Sequence, residues 1–103
     1  MITVTAHNSR TTITLQSNKL EDILSDLSEF NLTTTDKSFI DRVAMSGAKM
    51  TTLESTYTDI AESYGAKLDE VLYIIHRTED REYMFTKIEP KSVVYAMLNK
   101  KLS

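Results

Sequence analysis

Residues 68–88 read LDEVLYIIHRTEDREYMFTKI, and the fold turns on whether they form one helix or two strands. Leu68, Val71, Leu72 and Ile75 have the spacing of one helical face. Against that, residues 70–77 and 82–88 are dense in β-branched and aromatic types, with the polar Thr78-Glu79-Asp80-Arg81 between them. Strands separated by a polar turn are the better account. We read an antiparallel hairpin turning at Glu79-Asp80. That register sets Val71 by Ile88, Tyr73 by Thr86, Ile75 by Met84 and Arg77 by Glu82 on one face. The other face pairs Leu72 with Lys87, Ile74 with Phe85 and His76 with Tyr83.

Upstream, residues 2–7 and 11–16 alternate around Asn8-Ser9, the pattern of a second hairpin. A two-residue turn places Ile2 by Leu15, Val4 by Ile13 and Ala6 by Thr11, with Thr3, Thr5, Thr12 and Thr14 on the other face. From Asn18 the period becomes helical: Leu20, Ile23, Leu24, Leu27 and Phe30 form one stripe, Asn18 and Glu21 have capping-box spacing, and Asn31 is a stop. The opposite side carries Glu21, Asp22, Asp26 and Glu29.

Residues 31–35 read as a short polar connector. A second helix is expected from Asp36, burying Phe39, Ile40 and Val43 and ending at Ser46-Gly47. A third is expected from Thr51, which has capping-box spacing to Glu54, through the stripe Leu53, Tyr57, Ile60, Ala61 and Tyr64 to a stop at Gly65. Downstream of the second hairpin, Pro90 opens a last helix over 91–101 with Val93, Val94, Met97 and Leu98 inward and Lys100 and Lys101 at its C-terminus. The order is ββαααββα, two antiparallel hairpins and four helices in one two-layer α+β domain spanning residues 1–103.

Composition narrows the function. With 103 residues, 41% of them hydrophobic and 26% charged, the chain has the makings of one packed core. No cysteine is present, so disulfides, cysteine-ligated zinc and thiol nucleophiles are excluded, and a reducing, cytoplasmic setting is expected. No apolar run approaches the roughly 20 residues a membrane helix needs. Residues 1–17 lack the pattern of a leader. The two glycines, at 47 and 65, leave no phosphate-cradling loop and no Gly-x-Ser-x-Gly elbow. His7 and His76 have no second ligand at metal-binding spacing, so neither a metal nor a cofactor is expected.

By subtraction, the sequence points to a non-catalytic protein-binding module, an inhibitor or regulator that occupies a partner's surface. Phage and mobile-element regulators share this size and acidic composition, an analogy without a shared motif. The acidic side of the first helix, Glu21, Asp22, Asp26 and Glu29, is the candidate surface for a protein partner. Ile74 and Phe85, paired on the face away from the core, would support a homodimer through the second hairpin or the C-terminal helix.

Two other readings compete. A nucleic-acid or nucleotide-binding regulator would use Lys87, Lys91, Lys100 and Lys101 with Tyr73, Tyr83 and Phe85 as stacking platforms. However, a net charge of −3 argues against generic phosphate binding. A small oligomeric enzyme would use the polar rung His76, Arg77, Glu82 and Tyr83, whose simpler meaning is a cross-strand ion pair beside a half-exposed His–Tyr pair.

Overall fold

Alternating threonines and apolar residues at the N-terminus form β1 (Ile2–His7) and β2 (Thr12–Ser17) in the computed structural model, which describes residues 1–54 and 58–103. Val4 pairs with Leu15 and Ala6 with Ile13, two residues from the expected register, so the apolar face is kept. The shift arises because the loop holds four residues. The Asn8 side-chain oxygen accepts from the Arg10 and Thr11 amides at 2.9 and 3.0 Å, and the Asn8 amide donates to the Thr11 carbonyl at 3.0 Å. Asn8 thus shapes the turn through its side chain.

Helix α1 (Leu20–Glu29) buries Leu20, Ile23, Leu24 and Leu27. Lys19, rather than Asn18, occupies its N-cap position, and its amide donates to Ser17 Oγ. The C-terminus is a Schellman turn: Asn31 takes a φ of 51°, its amide donates to the Ser28 carbonyl, and the Leu32 amide reaches back to the Leu27 carbonyl at 2.8 Å. Leu32 is buried, and the chain leaves directly into β3 (Thr33–Thr34). A strand therefore stands where a connector was expected.

Helix α2 (Phe39–Met45) buries Phe39 and Val43 and ends at Ser46, followed by Gly47 at φ +88°, as its composition implies. The expected third helix does not form. Residues 51–53 belong to β4 (Lys49–Leu53) and residues 60–65 to β5 (Ile60–Leu68); Tyr57, assigned to its stripe, lies outside the described residues. β4 is rich in threonine and β5 extends past the supposed stop at Gly65, pairing along its length with β6 (Val71–Thr78). Non-local pairing outweighs a helical spacing that Ile60, Ala61 and Tyr64 satisfy by coincidence.

β6 pairs with β7 (Tyr83–Ile88), and here the register differs by one residue. Arg81, at φ 64°, makes the turn three residues long, with Thr78 N–H donating to the Glu82 carbonyl at 2.9 Å. One extra turn residue changes every cross-strand partner. Ile74 meets Thr86 rather than Phe85, and His76 meets Met84 rather than Tyr83. The last helix, α3 (Val93–Lys101), is capped by Ser92, whose Oγ accepts from the Val94 amide; Pro90 sits in the turn before it.

The sheet has seven strands in the order β2-β1-β3-β7-β6-β5-β4, antiparallel throughout. The arrangement ββαααββα with four helices is therefore replaced by ββαβαββββα with three. One face carries Val4, Ala6, Ala66, Tyr73, Ile75, Tyr83 and Phe85 and is covered by α1 and α2, with Phe39 edge-on to Phe85 at 5.3 Å. The opposite face carries Leu72 and Ile88 beneath Leu98 and Leu102 of α3 and the C-terminus. Helices on both faces replace the expected two layers. Among the described residues, no helix is long and apolar enough to cross a membrane.

Gly65 lies directly under α3, where a Cβ would collide with the Leu98 side chain. Gly65→Ala should destabilise the fold by about 1–3 kcal/mol through overpacking. Leu98→Ala should open space for the new methyl, making the double variant less destabilised than the sum of the singles. Urea denaturation of all four chains checks this; strictly additive losses would contradict the contact.

Candidate functional site

One transverse row of side chains crosses the whole sheet on the α3 side: Thr12, His7, Thr33, Met84, His76, Ser63 and Leu53, one from each strand. α3 covers the neighbouring Gly65 and Leu72, so much of this row lies outside its cover. Both histidines of the chain belong to it.

His7 is the more connected of the two. Its Nε2 lies 3.1 Å from Glu82 Oε1, and its Nδ1 lies 3.3 Å from Thr33 Oγ1. A carboxylate on Nε2 calls for a proton there, which leaves Nδ1 of a neutral ring as an acceptor for the Thr33 hydroxyl. That hydroxyl is also 3.3 Å from the His7 carbonyl, its alternative acceptor. The pair ties the β1–β2 loop to the β6–β7 turn. Beside it opens a cavity of about 650 Å³ lined by His7, Asn8, Ser9, Arg10, Phe30, Asn31, Thr33 and Glu82.

Phe30 is the unexpected member of this wall. Its spacing puts it in the apolar stripe of α1, yet it caps the helix and is 61% exposed, because the Schellman turn redirects the chain one residue later. His7 and Glu82 supply two potential metal donors, and no third imidazole or carboxylate joins them among the described residues. The chemistry on offer is recognition: an aromatic face, carboxamides, a guanidinium and an imidazole–carboxylate pair.

The polar rung does not assemble as a group of four: Arg77 and Tyr83 are cross-strand partners, but His76 and Glu82 are not with them. His76 accompanies Ser63, its Nδ1 2.8 Å from Ser63 Oγ, on the α3 side. Arg77 turns to the opposite face and pairs with Glu62 at 3.2 Å. Glu82 belongs to His7, and Tyr83 is buried in the core. Ile74 and Phe85 lie on opposite faces of the sheet, so they form no joint patch. Tyr73, Tyr83 and Phe85 are all buried, which removes the stacking platform of the nucleic-acid reading.

The acidic group remains together on the outward side of α1. Ser17 Oγ donates to Asp22 and Ser25 Oγ to Glu29, both at 3.2 Å, while Lys87 Nζ stands 4.0 Å from Glu29. Asp69, from the β5–β6 turn, adds another carboxyl. Its hydrogen bond to Glu21, reinforced by its charge, raises the Glu21 pKa above the ordinary carboxylate value. Crowding of like charge is already felt at this end of the helix.

His7, Arg10, Phe30, Asn31 and Thr33 escaped the sequence reading as a site. Their only local signal was the sequence Asn31-Leu32-Thr33-Thr34, an asparagine at a helix stop followed by one apolar residue and two β-branched ones. Comparison with known proteins adds nothing to this geometry: no family model, curated protein or solved structure matches the chain.

Burial holds the His76 pKa below its ordinary 6.5. The unfolded chain therefore binds the proton first as pH falls, so this contribution is intact above about pH 6.5 and declines below it. Unfolding free energy should fall as pH drops below about 6.5, and His76→Gln should flatten that slope. Equal slopes in the two chains, measured by urea titration, would contradict the assignment.

Proposed function

We propose that the chain is a non-catalytic protein-binding module whose partner seats along the outward side of α1 and in the cavity beyond its C-terminal end. Phe30 carries this reading. It is 61% exposed on the wall of the cavity of about 650 Å³ that Arg10 and Asn31 share. An accessible aromatic ring beside an arginine in a concave polar setting is the composition of an interface anchor.

The acids of α1 support the same surface. Leu20, Ile23, Leu24 and Leu27 supply its buried side, leaving Glu21, Asp22, Asp26 and Glu29 with no packing duty in the core. Carboxylates held at the surface and crowded at one end raise a negative potential, which speeds encounter with a basic surface. The complementary partner is a protein presenting lysines or arginines around an apolar knob. The dispersal of His76, Arg77, Glu82 and Tyr83 favours binding over catalysis.

The test is capture from a lysate of the native host followed by binding kinetics with the captured protein. Phe30→Ala should weaken the complex by more than about tenfold, as loss of an anchor does. Reversing Asp22, Asp26 and Glu29 to lysine should leave the melting temperature near that of the native chain and slow association by about tenfold at low salt. Unchanged dissociation in the first variant and unchanged on-rates in the second would refute the proposal.

A further inference from the structure

A second surface, opposite in charge, lies on the other side of the sheet. Helix α3 turns Tyr95 and Asn99 toward the β5–β6 turn, where the Tyr95 hydroxyl donates to the Glu70 carbonyl at 3.0 Å and Lys67 Nζ to Asn99 Oδ1 at 2.9 Å. Leu98 packs down onto the sheet. Val94, Met97 and Lys101, spaced i, i+3 and i+7, therefore share another side of the helix. With Leu53, Ile74 and Leu98 they enclose a groove of about 170 Å³ whose walls are apolar except at Lys101.

This helix is poorly covered for its composition. Val93, Val94 and Met97 are 76%, 45% and 66% exposed, and only Leu98 is buried within α3. Beyond the groove the sheet continues through His76 and Met84, which are half-buried, while Ser63 beside them is buried. An antiparallel sheet can leave part of a face in water, but apolar side chains exposed beside it gain by burial. A second helix lying beside α3 would have both the sheet and the Val94–Met97 side to rest on.

Charge selects what that helix is. Lys91, Lys100 and Lys101 are exposed, and among the described residues no carboxylate lies within ion-pairing distance of them. Twofold pairing of α3 with a second copy in the antiparallel sense would bring Lys100 and Lys101 to the positive N-terminal end of the other helix, beside its Lys91, where the exposed Glu89 offsets only part of that charge. The parallel sense would set the same lysines against each other. Both arrangements oppose like charges. The geometry points instead to an acidic amphipathic helix of another protein, with one apolar side chain entering the groove over Leu53 and Ile74 and carboxylates facing Lys100 and Lys101. This surface is independent of the α1 surface, and its failure leaves that reading untouched.

Two short helical peptides with leucine at i, i+3 and i+7 provide the probe, one flanked by glutamates and its counterpart by lysines. Each is titrated into the isotope-labelled full chain. The glutamate peptide should shift amides of β4, β6 and α3 and bind about tenfold or more tightly than the lysine peptide, with affinity falling as salt rises. Met97→Glu and Lys101→Glu alter exposed side chains, so both should keep the native spectrum while losing about tenfold in affinity. Equal binding of the two peptides, shifts confined to α1, or unchanged affinity in both variants would overturn the proposal. So would a dimeric mass that Met97→Glu converts to monomer, which assigns the groove to a second copy. Preferential binding of α3 to phosphatidylserine vesicles over the glutamate peptide would assign it to an anionic membrane and overturn the proposal equally.

Discussion

Two threonines join the sheet into one body. β3 is only Thr33 and Thr34, yet it pairs with His7 on one side and with Met84 and Tyr83 on the other, linking the β1–β2 hairpin to the β4–β7 meander. The Thr34 hydroxyl donates to the Thr5 carbonyl at 2.9 Å and accepts from the Asp36 amide at 3.2 Å. The Thr33 hydroxyl adds a bond to His7, at its Nδ1 or its carbonyl, and the His7–Glu82 pair closes the same junction from the side. A two-stranded hairpin by itself is marginal in water, so β1 and β2 depend on this junction and on α1 for their order.

The junction also decides where recognition can happen. The Schellman turn that delivers the chain into β3 leaves Phe30 outside the core while Leu32 goes in, and the cavity opens where that turn meets the β1–β2 loop. On one face α1 and α2 bury a large mixed core and turn carboxylates outward. On the other, α3 covers a smaller cluster with lysines at its end. The acids of α1 and the lysines of α3 thus lie on opposite sides of one sheet.

What the sequence makes legible follows the range of the interactions. The stripe Leu20, Ile23, Leu24 and Leu27 repeats within a single helix, so its buried side and its acidic side can both be read from one period. Gly47 ends α2 by its own backbone freedom. β3 has two residues and therefore no period to detect. β4 and β5 owe their conformation to partners elsewhere in the chain, and their residues mimic a helical spacing strongly enough to mislead. For β6 and β7 the strands were legible but their register was not. Arg81, a residue that rarely takes positive φ, lengthens the turn by one position and sends Ile74 and Phe85 to opposite faces. The polar rung and the apolar pair fell with that single residue, while the His7 site depends on contacts across 26 and 75 positions of sequence.

β3 makes one continuous sheet, with a single row of side chains from Thr12 to Leu53. Backbone proton cross-relaxation in the labelled chain tests it most directly. A sheet joined through β3 should give cross-strand contacts of Thr33 with both His7 and Met84, together with slow amide exchange on both sides of β3. Contacts within the β1–β2 hairpin and within the meander, with none through Thr33 and Thr34, would contradict it.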